Sequence, residues 1–194
     1  MNKKWKSVIL IILVVVSFTA FKGGSSPKTI EEVINGLTSN PIIMIHEEKT
    51  ATGSIAFYTR QGEDSLYTDF FRKGIKGWKY IYGGVRGDAK FFADKFGLTY
   101  DYSPNIEGTP FPIYFGIIGN SDIARVMVIE KKRGVEKEAK IIHGNNDTRI
   151  WLLYMNEFEG SEFEIVGLSS AGEELSRTKD DISPWFAEQK AIKQ

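Results

Sequence analysis

The feature that most constrains this chain comes at its start. Residues 8–21 are apolar except for Ser17 and Thr19, and they lie between Lys3, Lys4 and Lys6 on one side and Lys22 on the other. No acidic residue occurs before Glu31. Cations are retained on the cytoplasmic side of a membrane, so the N-terminus is expected to stay in and the remainder to cross. At 14 residues the run fits a signal-peptide core of about 7–15 better than a spanning helix of about 20. Two fates stay open. Cleavage after Ser25 or Ser26 meets the small-residue rule, whereas cleavage after Ala20 puts the bulky Phe18 third from the cut. Alternatively residues 5–22 remain as an anchor, with Trp5 at one interface and Lys6 and Lys22 snorkelling to the two edges.

Composition then removes several chemistries. There is no cysteine, which excludes disulfides, thiolate nucleophiles, iron–sulfur clusters, cysteine zinc sites and a lipid-modified cysteine. His46 and His143 are the only histidines, too few for a multi-histidine metal centre. No cofactor is expected. Without the four lysines around the apolar run, 21 basic residues face 25 acidic ones. A chain with that balance has no electrostatic reason to bind nucleic acid.

Periodicity gives an α+β reading in five parts. Residues 1–26 are the signal peptide or membrane anchor. Residues 27–98 form a helix plus an antiparallel four-strand meander, 99–112 a connector, 113–179 a small all-β sandwich-like unit, and 180–194 a polar tail. In the first unit Ile30, Val33, Ile34 and Leu37 share a helical face, Thr29 and Glu32 make a capping box, and Gly36 is placed to end the helix. Strands follow over 42–46, 54–60, 66–71 and 77–82, joined by short turns that imply antiparallel pairing. Gly83, Gly84 and Gly87 break the pattern, and residues 88–96 read as a second helix capped by Asp88 and stopped by Gly97. Pro104, Pro110 and Pro112 make the connector irregular. Six more strands are expected over 113–118, 123–131, 136–142, 149–158, 162–168 and 173–178. Residues 150–155 are apolar on both faces, as a covered strand should be, and Phe163 and Ile165 point inward. Ser183-Pro184 opens a short helix carrying Trp185 and Phe186, or the tail frays.

Several segments carry a resemblance. They are Ile45-His46-Glu47-Glu48-Lys49-Thr50, Ala56-Phe57-Tyr58-Thr59-Arg60, the Gly77-Trp78 to Gly83-Gly84 stretch, Thr109-Pro110-Phe111-Pro112-Ile113-Tyr114-Phe115-Gly116, and the run from Phe163 to Gly172. Together they resemble a group of small exported proteins of Bacillus-type bacteria, over most of residues 40–175. The shared motifs are packing and turn signatures. The resemblance implies location and lineage, and no activity.

Candidate chemistry is sparse. Sixteen of the 25 aromatic residues lie between Phe57 and Phe115. Strand alternation puts Trp78, Tyr80 and Tyr82 on one face, either core beneath the helix or a ligand face for a sugar ring or peptide. His46 ends a strand beside two carboxylates. Only Glu48 can share its face, so a solvated strand end competes with an acid–base pair. His143 opens a loop rich in oxygen donors but without the spaced acids of a calcium loop, and a hairpin turn accounts for it. Asn146-Asp147-Thr148 matches a glycosylation sequon that an export protein of bacterial type has no use for. Glu157, Glu159, Glu162 and Glu164 cluster near Gly160, either as a glycosidase-type pair or as a charged edge that discourages aggregation. No nucleophile elbow, P-loop or dinucleotide fingerprint is present; Gly167-Leu168-Ser169-Ser170-Ala171-Gly172 has the wrong spacing. No residue is assigned as catalytic or metal-binding.

The expectation is a non-enzymatic extracytoplasmic protein of the cell envelope, secreted or membrane-tethered, that works by surface recognition with an envelope protein as partner. The alternatives are a small-ligand or peptide-binding module using the aromatic face, or a carboxylate-based hydrolase.

Overall fold

The computed structural model describes residues 26–155 and 160–182 and the backbone of Glu188–Gln189. The apolar N-terminal run, Glu157, Glu159, Trp185 and Phe186 lie outside the described residues. Among the described residues no helix is long and apolar enough to cross a membrane.

The described chain is mostly strand, with two helices and three four-stranded antiparallel sheets. Helix α1 (Ile30–Leu37) starts where Thr29 Oγ1 accepts the Glu32 amide at 3.1 Å, a cap worth about 1 kcal/mol. Glu32 reaches back to the Lys28 amide, one residue earlier than a standard capping box. Gly36 does not end the helix. It stays inside, and the last turn closes through the Thr38 amide on the Ile34 carbonyl. Ile30 and Ile34 are buried, each worth about 2 kcal/mol.

The first sheet is a meander of β1 (Ile42–Lys49), β2 (Ser54–Arg60), β3 (Leu66–Gly74) and β4 (Gly77–Arg86) in that order. Three of these strands run beyond their expected ends, and β4 passes straight through Gly83 and Gly84. Helix α2 (Ala89–Phe96) follows. Asp88 sits before it in the left-handed region at φ 50° and makes no side-chain cap. Of its residues only Ala89 and Ala93 are buried, and Phe96 is exposed.

The expected connector contributes strands of its own. β5 (Asp101–Ser103) pairs with β7 (Ile113–Ile118), and β6 (Asn105–Ile106) takes a parallel partner, β14 (Glu188–Gln189). Residues 136–142 do not form one strand. They divide at Ala139, whose amide donates to the Val126 carbonyl at 2.8 Å, into β9 (Val135–Glu138) and β10 (Lys140–His143), which enter different sheets. The second sheet is β10–β11–β7–β5, with β11 being Arg149–Tyr154. The third is β13–β12–β8–β9, with β8 Arg125–Glu130, β12 Glu162–Leu168 and β13 Glu174–Asp181. The expected polar tail thus begins inside β13, where Asp180 accepts the Tyr114 hydroxyl at 2.6 Å.

The second sheet is covered on both faces. Tyr114, Trp151 and Leu153 pack with Val126, Val128 and Ile165 of the third sheet, which makes the sandwich. Phe115, Ile150 and Leu152 pack with Ile55, Phe57 and Phe70 of the first. Phe57 meets Phe115 edge-on at 5.8 Å. Helix α1 covers the outer face of the first sheet through Ala56, Tyr58 and Phe71.

Candidate functional site

The outer face of the first sheet carries the most unusual polar group. Alternation along β2 and β3 points Tyr58, Arg60, Tyr67 and Asp69 towards α1. Tyr58 and Tyr67 are cross-strand partners, and their rings stack at 5.1 Å and 14°, worth about 0.5–1.5 kcal/mol beyond the area they bury. Asp69 is only 6% exposed, and the Tyr58 hydroxyl donates to its Oδ2 at 2.7 Å. On its other side the partner residue is Gly83. A Cβ at 83 would lie 1.8 Å from Asp69 Oδ1, so the buried carboxylate requires glycine there. That is why β4 continues where a break was expected. The Arg60 guanidinium lies 4.1 Å from the centre of the Tyr67 ring. Its Nε is buried with no hydrogen-bond partner among the described residues. Ile34, Leu37, Tyr80 and Val85 complete an open cleft of about 290 Å³.

Burial dominates the electrostatics. It raises the Asp69 carboxyl to about 6, against the opposing pull of the Tyr58 hydrogen bond and the Arg60 charge. Burial, helped by the Asp69 charge, pushes Tyr80 up to about 12 and Tyr58 further. Both phenols therefore stay protonated, Tyr58 as the donor to Asp69, and Asp69 changes charge within the ordinary pH range. The cleft is lined by the Asp69 carboxylate, the Arg60 guanidinium, tyrosine rings and an apolar rim.

The Trp78, Tyr80 and Tyr82 row does not share one face. The β3–β4 register shifts between Phe70, opposite Tyr82, and Phe71, opposite Tyr80, so that Ile81 is an extra residue. Such a bulge reverses the alternation beyond it. Trp78 and Tyr80 pack beneath α1, while Tyr82 turns to the inner core and meets Phe111 at 5.8 Å. All three are half-buried.

His46 and Glu48 do meet, at 2.9 Å, but as part of a clasp on the Glu48 carboxylate. Lys140 of β10 holds both Glu48 oxygens, at 2.8 and 2.9 Å. Burial would raise Glu48, yet Lys140 and His46 together hold it below its ordinary value. Glu47 points the other way and accepts the Ser54 hydroxyl. His143 is exposed at the β10–β11 hairpin, whose 3-10 turn is Asn145–Asp147; Asn145 donates to the Met44 carbonyl at 3.1 Å. No cluster of three or more metal-ligating side chains occurs among the described residues. Glu162 and Glu164 do not lie on an edge strand, because β12 runs between β8 and β13. Glu164 is buried and pairs with Lys131 at 2.7 Å and with Arg177; Glu162 pairs with Lys132 at 2.8 Å.

The sequence reading missed Asp69. The signal was present: an aspartate two residues from Tyr67 and two from Phe71 shares their face in a strand, where a carboxylate is costly. No protein-family model, curated protein or solved structure matches this chain.

Proposed function

We propose that the chain works outside the cytoplasmic membrane, secreted or held by residues 5–22, and acts by recognition, taking a small polar ligand in the Asp69 cleft. The observation that carries this reading is a carboxylate 6% exposed, set at the base of an open cleft beside an arginine whose Nε has no protein partner among the described residues. Buried polar groups are ordinarily satisfied. A ligand with a hydrogen-bond donor for Asp69, added to the one that Tyr58 already supplies, and an acceptor for the Arg60 guanidinium pairs with both, and the tyrosine rings give it a flat wall. Neighbouring hydroxyls of a sugar, or the ammonium and carboxylate of an amino acid, have that arrangement.

The test is a titration of the full chain with a panel of monosaccharides, disaccharides and amino acids, followed by calorimetry at pH 5 and pH 7.5. Saturable binding that strengthens at the higher pH, as Asp69 ionises, is expected. Val85→Trp, at the exposed rim, blocks the cleft without touching the core and removes the binding. Binding that Val85→Trp and Asp69→Asn both leave unchanged refutes the site.

A further inference from the structure

The β3–β4 hairpin carries a surface that the ligand cleft does not use. Residues 70–87 contain Arg72, Lys73, Lys76, Lys79 and Arg86 and no acidic residue, in a chain that is net acidic beyond its export run. The hairpin tip is Ile75-Lys76, between the paired Gly74 and Gly77. Ile75 is fully exposed, and Arg72, Lys73, Lys76 and Lys79 are exposed around it. None of these four cations is in an ion pair among the described residues. Arg72 donates to the Gly108 carbonyl, beside Glu107, and Lys73 lies 5.8 Å from the Trp78 ring. On the helix side the first turn of α1 carries Glu31 and Glu32, and Glu32 takes the Lys28 amide.

This tip is also where the described chain begins. The Trp78 amide donates to the Pro27 carbonyl at 3.1 Å. Gly77, at φ +89°, lies so close that a Cβ would be 2.2 Å from the same oxygen. Between Pro27 and Lys22 there are four residues, so the two lie at most about 18 Å apart.

We infer that the hairpin tip is a lipid-facing surface, with Ile75 entering the headgroup boundary of an anionic membrane and Arg72, Lys73, Lys76 and Lys79 holding it there. The inference rests on the reading of residues 5–22 as a retained anchor, which keeps the tip within reach of the bilayer. An exposed apolar residue ringed by cations is the pattern of an interfacial contact. Each cation near an anionic surface strengthens attachment about fivefold.

The chain has no cysteine, so a single Ile75→Cys gives a clean site for a polarity-sensitive dye. The labelled full chain is mixed with vesicles of phosphatidylcholine alone, or of phosphatidylcholine and phosphatidylglycerol in equal parts. A blue shift and quenching by brominated lipid are expected on the anionic vesicles. Both disappear when Lys73, Lys76 and Lys79 are changed to Glu, and neither occurs with the dye at Val135→Cys. Flotation with the neutral vesicles tests the anchor separately. A chain that floats while the dye at 75 stays aqueous on anionic vesicles overturns the inference and leaves the anchor intact. A dye shift on anionic vesicles without flotation on neutral ones removes the anchor and keeps the lipid-facing tip. An equal dye shift with soluble polyphosphate assigns the tip to polyanions in general and overturns the lipid assignment.

Discussion

Two hairpins of this molecule carry clustered cations, and they treat them in opposite ways. At the β8–β9 turn, Lys131, Lys132 and Arg133 each have a carboxylate: Glu164 at 2.7 Å, Glu162 at 2.8 Å and Glu130 at 3.0 Å. Glu130, almost fully buried, also accepts the Arg133 amide at 2.8 Å. Those charges shape a turn. At the β3–β4 tip, four cations surround an exposed isoleucine and have no carboxylate partner among the described residues. A fold that neutralises one basic cluster residue by residue and leaves another open distinguishes charge used for building from charge directed at a partner.

The contrast can be broken or sharpened at three points. Asp69 is the extreme case of a charge without an ion-pair partner, and it should show the largest effect. Its carboxyl is raised from the ordinary 3.8 to about 6. A raised acid binds its proton more tightly in the folded state, so its contribution is favourable below about pH 4 and is lost as pH climbs through 6. Chemical denaturation of Asp69→Asn and of the parent chain should therefore diverge by about 2 kcal/mol in favour of the variant between pH 4 and pH 7.5. A constant difference across that range means that Asp69 is not desolvated. Glu130→Ala comes next. It strands the Arg133 amide and guanidinium, and thermal unfolding should fall by several degrees, with the loss centred on β8 and β9 in hydrogen exchange. The smallest effect belongs to the open hairpin. Changing Lys73, Lys76 and Lys79 to Glu should alter stability by no more than about 0.5 kcal/mol, since no carboxylate loses a partner. A large loss in that triple variant would place these lysines among the building charges and erase the distinction.

Much of the scaffold was legible from residue pattern. The Thr29 cap, the alternation of Phe163 and Ile165, and the two-sided apolar run in β11 each report a local preference that the tertiary structure keeps. What failed was anything decided by an opposing strand. The bulge at Ile81 leaves no mark in the alternation of β4 itself, so the aromatic row was read as continuous. Gly83 looks like a breaker until the Asp69 side chain is seen in the space a Cβ would fill. Ala139 is a corner because the strand on one side of it pairs with β8 and the strand on the other with β11. The candidate site was half readable. Its tyrosines stood in a strand pattern, whereas the pairing that buries Asp69 joins β2, β3 and β4.

The middle sheet, clad on either side, ties the fate of the two ends of the polypeptide together. A fragment ending at Leu98 would keep Phe57 and Phe70 but lose the rings and aliphatic chains laid against them. It would offer its naked inner surface to any neighbour, beginning with another copy of itself. That surface is covered only once residues as far along as Leu152 are in place.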